Sequence, residues 1–190
     1  KILSGDQYIH LPGVKNDYLS ASYKQNLGVK YIHDNYQYKY VLFCGSDTFL
    51  CIHNLLCFLN DMPQDKPLYI GGHGCYRQIN NVKYYFHSGG AGIIVNNQAV
   101  SLLYDQLESM VDEWIKVCDI SDMKDLVYAS DVCFAYYIHN IKEVMTIKAD
   151  PLFYNCNYLG YDIDGTNCCV SKISQHRKDI VSCHSMSLKD

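Results

Sequence analysis

The chain has no run of lysine or arginine and no basic stripe along any segment. Its 16 basic and 20 acidic residues give a formal net charge of -4 at pH 7. A protein of this kind offers nothing that would neutralise a phosphate backbone. The composition therefore argues against nucleic acid as a partner.

Long hydrophobic runs, internal repeats and a targeting segment are also missing. The longer apolar stretches, such as residues 40–44 and 55–59, are too short to cross a bilayer. Because the sequence starts at Lys1 with no initiator methionine, we expect a processed product or a fragment, with any membrane anchor outside it. The 190 residues, 48% of them hydrophobic, can bury one substantial core, so a single domain over residues 1–190 is predicted.

Cysteine, by contrast, is abundant. Ten cysteines, including the adjacent pair Cys168 and Cys169, indicate an oxidising compartment with some disulfides. For Cys44, Cys51 and Cys57 the simpler interpretation is that of small buried hydrophobes.

Two other cysteine chemistries are disfavoured by the spacing. The C-terminal cysteines with His176 or His184 could in principle hold zinc, but no CxxC motif is present and adjacent cysteines rarely ligate one tetrahedral ion. A cysteine hydrolase would need a thiolate paired with histidine, and no cysteine stands in such a context.

Helical and strand patterns alternate along the chain, which predicts an α/β layered domain with a mixed, mainly parallel sheet. Apolar spacing predicts a helix over residues 17–35 with Asn16 or Asp17 as its N-cap. The other predicted helices cover 52–59, 97–110 after an Asn96-Asn97 cap, and 130–140 capped by Ser130 or Asp131. The predicted strands cover 38–44, 68–71, 82–86, 93–95, 144–148 and 180–183.

Four features at the ends of these elements could carry chemistry. Asp47 follows a buried strand, where a carboxylate can hold a divalent cation that neutralises a leaving diphosphate; the alternative is a simple turn residue. Gly89, Gly90, Ala91 and Gly92 let the backbone approach a ligand, or make a tight turn without one. Asp131 at a helix start could be a general base or only a cap. His184 could be a cation ligand or a structural histidine.

Several segments, in this order, resemble the Fringe-like glycosyltransferases, which include the galactosyltransferases that extend mucin-type O-glycans. The resemblance is carried by YVLFCGSDTFL (40–50), PLYIG (67–71), HSGGAGIIV (87–95) and SDVCFA (130–135). Near the end of the chain, NCC (167–169) and VSCH (181–184) are similar to elements of the galactosyltransferase branch.

The resemblance implies a GT-A fold, a UDP-sugar donor, Mn²⁺ or Mg²⁺, and inversion at the anomeric carbon. It implies that Asp47 and His184 bind the metal and that Asp131 deprotonates the acceptor hydroxyl. Ser46, Asp47 and the loop of residues 89–92 would contact the donor. The sugar would be a hexose, with galactose favoured over N-acetylglucosamine or glucose, and the acceptor a glycan or glycoprotein in the secretory lumen, in particular the Golgi.

The departures from the family pattern are informative. Gly45 and Ser46 replace two acids that precede the equivalent of Asp47, and Ser130 replaces the acid before Asp131. An N-terminal strand that cradles uracil in the family is expected to be missing here. These losses favour, as the alternative, a catalytically degenerate relative that binds glycan or assists a partner.

Overall fold

A computed structural model describes residues 9–18, 20–72, 74–157, 159 and 178–186. Five α-helices and nine strands are present in these ranges. The helices are α1 Ala21–Asn35, α2 Ile52–Asn60, α3 Asn97–Leu103, α4 Met110–Ile120 and α5 Ser130–His139. The strands are β1 Tyr40–Phe43, β2 Phe49–Leu50, β3 Leu68–Gly71, β4 Cys75–Ile79, β5 Val82–Phe86, β6 Ile93–Asn96, β7 Met145–Lys148, β8 Phe153–Tyr154 and β9 Ser182–Cys183.

The predicted mixed α/β fold is confirmed. The central sheet has the order β1-β6-β3-β7, and a smaller sheet has the order β2-β9-β8. In the central sheet β6 runs antiparallel to both β1 and β3, and β7 runs parallel to β3. Among the described strands, parallel pairing is therefore confined to β3-β7 and β8-β9. In the central sheet antiparallel neighbours outnumber parallel ones because β6 inserts between β1 and β3. The sequence did not predict this, because an apolar run has the same pattern in either strand direction.

The two inner strands carry the core. Every residue of β3 and β6 is buried, as expected for strands covered on both faces. On one face of the sheet, Tyr69 belongs to a core cluster with Trp114 of α4 and Phe134 of α5. On the other face, Ile70 and Ile94 belong to a cluster with residues of α2 and β8. No helix within the described ranges is long and apolar enough to cross a membrane.

The helix predictions differ from the structure at three places, one of them the cap of α5, which is Ala129 rather than Ser130 or Asp131. α1 begins at Ala21, and Asp17 instead accepts a hydrogen bond from the Ser20 amide, 2.8 Å away, in the turn before the helix. Asn96 caps α3 as predicted, because its side chain accepts from the Ala99 amide at 3.0 Å. The helix predicted over 97–110 is wrong in length, since α3 ends at Leu103 and α4 starts at Met110.

The expectation that Cys44, Cys51 and Cys57 are buried is wrong. Cys44 and Cys57 are exposed and Cys51 is partly exposed, because Cys44 lies beyond the end of β1 and Cys57 lies on the outer face of α2. Cys118, Cys133 and Cys183 are the buried free thiols among the described residues. Cys156 is disulfide-bonded, and its partner, like Cys168, Cys169 and His176, lies outside the described residues.

The imidazole of His87 should make stability fall in acid. His87 is fully buried between Tyr69 and Tyr85, and neither ring nitrogen has a hydrogen-bond partner among the described residues. Burial lowers its pKa to about 3, and burial also lowers the pKa of nearby His139. The unfolded chain therefore binds more protons below about pH 6.5, and each unit of pH below that value costs about 1.4 kcal/mol for His87.

Urea unfolding between pH 8 and pH 5 measures this effect. We expect stability to fall below pH 6.5 and the fall to be clearly smaller in His87→Leu. His10→Leu removes an exposed histidine and should retain the wild-type dependence. An identical pH dependence in His87→Leu would contradict the assignment.

Candidate active site

Asp47 and His184 come together although they lie in opposite halves of the chain. β2 and β9 pair antiparallel with Phe49 opposite Cys183, so the residues just before β2 meet those just after β9. The Met186 amide donates to the Asp47 carbonyl at 3.0 Å and extends this pairing. As a result, Nε2 of His184 lies 3.2 Å from Oδ2 of Asp47.

His184 is held by contacts on the side away from Asp47. The backbone amide of His184 donates to the carbonyl of Tyr154 at 3.0 Å, and Ser185 Oγ lies 3.2 Å from the ring atom Nδ1 of His184. Nε2 is thereby left to face Asp47. The side chains are 26% and 45% exposed for His184 and Asp47, so a solute can reach the pair.

The glycine-rich loop lies directly against His184. A Cβ added at Gly90 would stand 2.6 Å from both Nδ1 of His184 and Oδ1 of Asn155. The loop closes through a Gly92 amide to Gly89 carbonyl hydrogen bond of 3.1 Å, with Gly92 at a φ of +95° that favours glycine. Thr48 ties it to the Asp47 turn, because its hydroxyl donates to the Gly90 carbonyl at 3.0 Å.

A Gly90→Ala variant should disturb the Asp47–His184 pair. The new methyl group would displace the His184 ring or Asn155, and overpacking of this kind typically costs about 1–3 kcal/mol. We expect lower thermal stability and weaker binding of UDP with Mn²⁺.

Gly28→Ala is the matched control for this substitution. Gly28 is inside α1 and a Cβ there would meet nothing within 4 Å. Replacing a helical glycine should therefore raise stability by up to about 1 kcal/mol without changing UDP binding. Unchanged UDP binding in Gly90→Ala would show that the close packing at Gly90 does not matter to the site.

Asp131 contacts the same loop at the neighbouring residue, Gly89. Its Oδ2 accepts from the Gly89 amide at 3.0 Å, and its Oδ1 accepts from the Val132 amide at 2.9 Å. The N-cap of α5 is Ala129, so Asp131 lies in the first turn of the helix, where the helix dipole favours a negative charge. Both oxygens keep a lone pair for a further donor.

The structure thus places the Asp47–His184 pair and Asp131 against the same glycine loop. Ser46 is exposed in the turn beside Asp47. Ala91 is fully buried, and its carbonyl accepts a hydrogen bond from the Ser182 hydroxyl, so it joins the loop to β9.

Sequence reasoning missed three residues that contact the glycine loop or His184: Thr48, Asn155 and Ser185. Asn155 follows β8, a two-residue strand that has no detectable period. Ser185 adopts a positive φ of 57°, which turns the chain just after His184. Only the Gly-Ser-Asp-Thr turn signal could have pointed to Thr48.

The Asp47–His184 pair fits a divalent cation by its donor chemistry. A carboxylate oxygen and an imidazole nitrogen are both suitable ligands, and two adjacent ligand atoms of an octahedral ion with bonds near 2.1 Å lie about 3 Å apart. The observed 3.2 Å matches that spacing. Within the described residues no group of three or more His, Cys, Asp or Glu side chains converges, so this pair would supply only part of a coordination shell.

A known family model matches the chain. The family model described as Fringe-like matches residues 12–161, which is most of the chain. The chain belongs to the Fringe-like family. Fringe-like proteins are glycosyltransferases, and Asp47, the loop of residues 89–92 and Asp131 all lie within the Fringe-like match, whereas His184 lies beyond it. A search of curated proteins gives no match.

Proposed function

We propose that the protein is an inverting, metal-dependent glycosyltransferase that moves a hexose from a UDP-sugar to a hydroxyl of a glycan or glycopeptide. The observation that supports this most directly is the shared contact with the glycine loop. One loop, residues 89–92, touches the Asp47–His184 pair at Gly90 and the Asp131 carboxylate at Gly89. A cation-binding pair and a carboxylate base at neighbouring residues of one loop are the two parts that a single displacement needs.

Asp131 would act as the general base. The Gly89 and Val132 amides hold its carboxylate in place without protonating it. The acceptor hydroxyl would give its proton to Asp131 as its oxygen forms a bond to the anomeric carbon and the bond from that carbon to the diphosphate breaks. One attack from the face opposite the leaving group inverts the configuration, so a single base suffices.

Asp47 and His184 would hold Mn²⁺ or Mg²⁺ together with the diphosphate of the donor. The cation supplies charge neutralisation to the departing UDP. Ser185 would keep the His184 ring aimed at that position, which is the task of groups that surround metal ligands, while the Tyr154 carbonyl fixes the backbone of His184. Ser46 and the glycine loop would line the sugar and ribose positions.

The alternative is a degenerate relative that binds glycan without turnover. Gly45 and Ser46 provide no carboxylate, and Oδ1 of Asp47 folds back to within 2.5 Å of the place that a Cβ at position 45 would take. The Asp47 side chain therefore occupies part of the space where the family pattern has another acid. We nevertheless favour the enzyme, because the remaining acid, the imidazole and the base still converge.

Measurement of UDP release separates the two functions. Purified protein is incubated with Mn²⁺, a mixed acceptor panel, and UDP-galactose, UDP-glucose or UDP-N-acetylglucosamine in turn. We expect UDP release from one donor, galactose being favoured, and loss of release with EDTA. Absence of turnover with every donor, combined with retained glycan binding, would reject the enzyme in favour of the degenerate relative. The compartment we propose is the Golgi lumen.

A further inference from the structure

A cavity of about 440 Å³ is lined by none of the candidate site residues described above. Its walls are the segment 12–17, the first two turns of α1 and Tyr128. The volume falls in the range of small-molecule sites in proteins, towards its lower end. The cavity is therefore large enough for a compact ligand.

The walls of this cavity are fixed by hydrogen bonds. Lys24 donates to the Asn16 side chain at 2.9 Å and to the Asp17 carbonyl at 3.3 Å, which ties the segment 12–17 to α1. The hydroxyl of Tyr23 donates to Asp112 at 2.6 Å, so the Tyr23 ring is anchored to α4. Tyr128, on the opposite wall, is 47% exposed.

The lining has the chemistry of a neutral sugar site. Tyr23, Tyr128 and Leu27 offer apolar surface on which the C–H face of a pyranose can pack. Lys15 and Asp17 offer one donor group and one acceptor group, and their charges cancel. A strongly anionic ligand such as a diphosphate would find no net positive charge here.

The distance of the cavity from Asp131 bears on whether it would hold a sugar of the donor or of the acceptor. Tyr128 precedes Asp131 by three residues, so their Cα atoms can be at most about 11 Å apart. Asp131 contacts the glycine loop at Gly89, the Asp47–His184 pair contacts it at Gly90, and Tyr128 is joined by three residues of chain to Asp131. In the proposed displacement the diphosphate leaves at the Asp47–His184 pair and the acceptor hydroxyl attacks beside Asp131. A cavity close to Asp131 would therefore receive part of the acceptor.

We propose that this cavity is a subsite for a neutral saccharide unit of the acceptor, with Tyr128 as the residue that packs against the sugar ring. The assignment rests on the proposed function, because the acceptor side is defined by Asp131 as the base. The nucleoside of the donor could also pack on a tyrosine, but it would lie with the diphosphate at the Asp47–His184 pair.

Saturation-transfer NMR on the whole protein, without donor, tests the subsite directly. The probes are methyl glycosides of the common neutral hexoses and N-acetylhexosamines, and UDP with Mn²⁺ is titrated separately. We expect at least one glycoside to bind, Tyr128→Ala to weaken it at least 10-fold, and Tyr128→Phe to restore it. UDP affinity should be the same in all three proteins.

Tyr76→Ala is the matched control, since Tyr76 is 48% exposed and lies away from the cavity, on β4. It should bind the glycoside like wild type. The proposal is overturned if no glycoside binds, if Tyr128→Ala binds as well as wild type, or if Tyr128→Ala loses UDP instead. Glycoside binding that depends on Tyr128, in a protein that releases no UDP from any donor, would leave the subsite standing and reject only the transferase.

Discussion

UDP will bind an Asp47→Ala variant at least about 100-fold more weakly in the presence of Mn²⁺, and removal of Mn²⁺ will make little further difference. The reason is that, in the described part of the chain, Asp47 is the carboxylate that lies beside His184, at 3.2 Å. Loss of groups that only surround a metal ligand already costs about 10–100-fold, and loss of a ligand should cost at least as much. Calorimetric titration of UDP with and without Mn²⁺ gives both affinities.

Two further variants separate a metal site from a simple ion pair. Asp65→Ala removes an exposed acid of the same charge and should bind UDP and Mn²⁺ like wild type. His184→Ala should reproduce the loss seen in Asp47→Ala. If the pair were only a half-exposed ion pair, it would contribute about 0–1 kcal/mol to stability and neither variant would change the response to Mn²⁺.

Turnover will fall by a factor of about 10²–10⁴ in Asp131→Asn, which is the usual contribution of a general base, while the affinity for UDP stays unchanged. The amide oxygen of asparagine can still accept from the Gly89 amide, so the loop should retain its shape. Steady-state rates with the donor identified by UDP release, together with UDP titration, measure the two effects separately.

Asp125→Asn is the control for this substitution, because Asp125 is an exposed acid in the segment before α5 and loses the same charge. It should keep full turnover. A normal rate in Asp131→Asn would reject the base assignment. Equal losses of UDP binding and turnover would instead mean that Asp131 only supports the glycine loop through its 3.0 Å hydrogen bond.

The core strands could be predicted because they are short apolar runs with clear stops. The predicted bounds of β3 and β5 agree with the structure, and β6 differs by one residue. β2 and β8 escaped prediction since each has two residues and exists through pairing with β9, far away in sequence. Pairing of this kind depends on tertiary contacts, which local periodicity does not record.

The main residues of the candidate site could be predicted from the sequence, but the residues that pack around them could not. Resemblance to the Fringe-like pattern singled out Asp47, Asp131 and His184, whose side chains the fold brings to one loop. Asn155 and Ser185 could not be found in this way, because each acts by filling space or orienting the His184 ring. Such roles follow from three-dimensional packing alone.

The β2-β9 pairing makes the candidate site depend on a C-terminal segment that lies outside the central sheet. All four strands of the central sheet lie before position 149, whereas the imidazole of His184 arrives only when the segment after Ile180 docks beside Phe49. The segment after Ile180 also completes one of the core clusters, through Val181. Under the proposed function, its docking would be the step that completes both this core and the cation site.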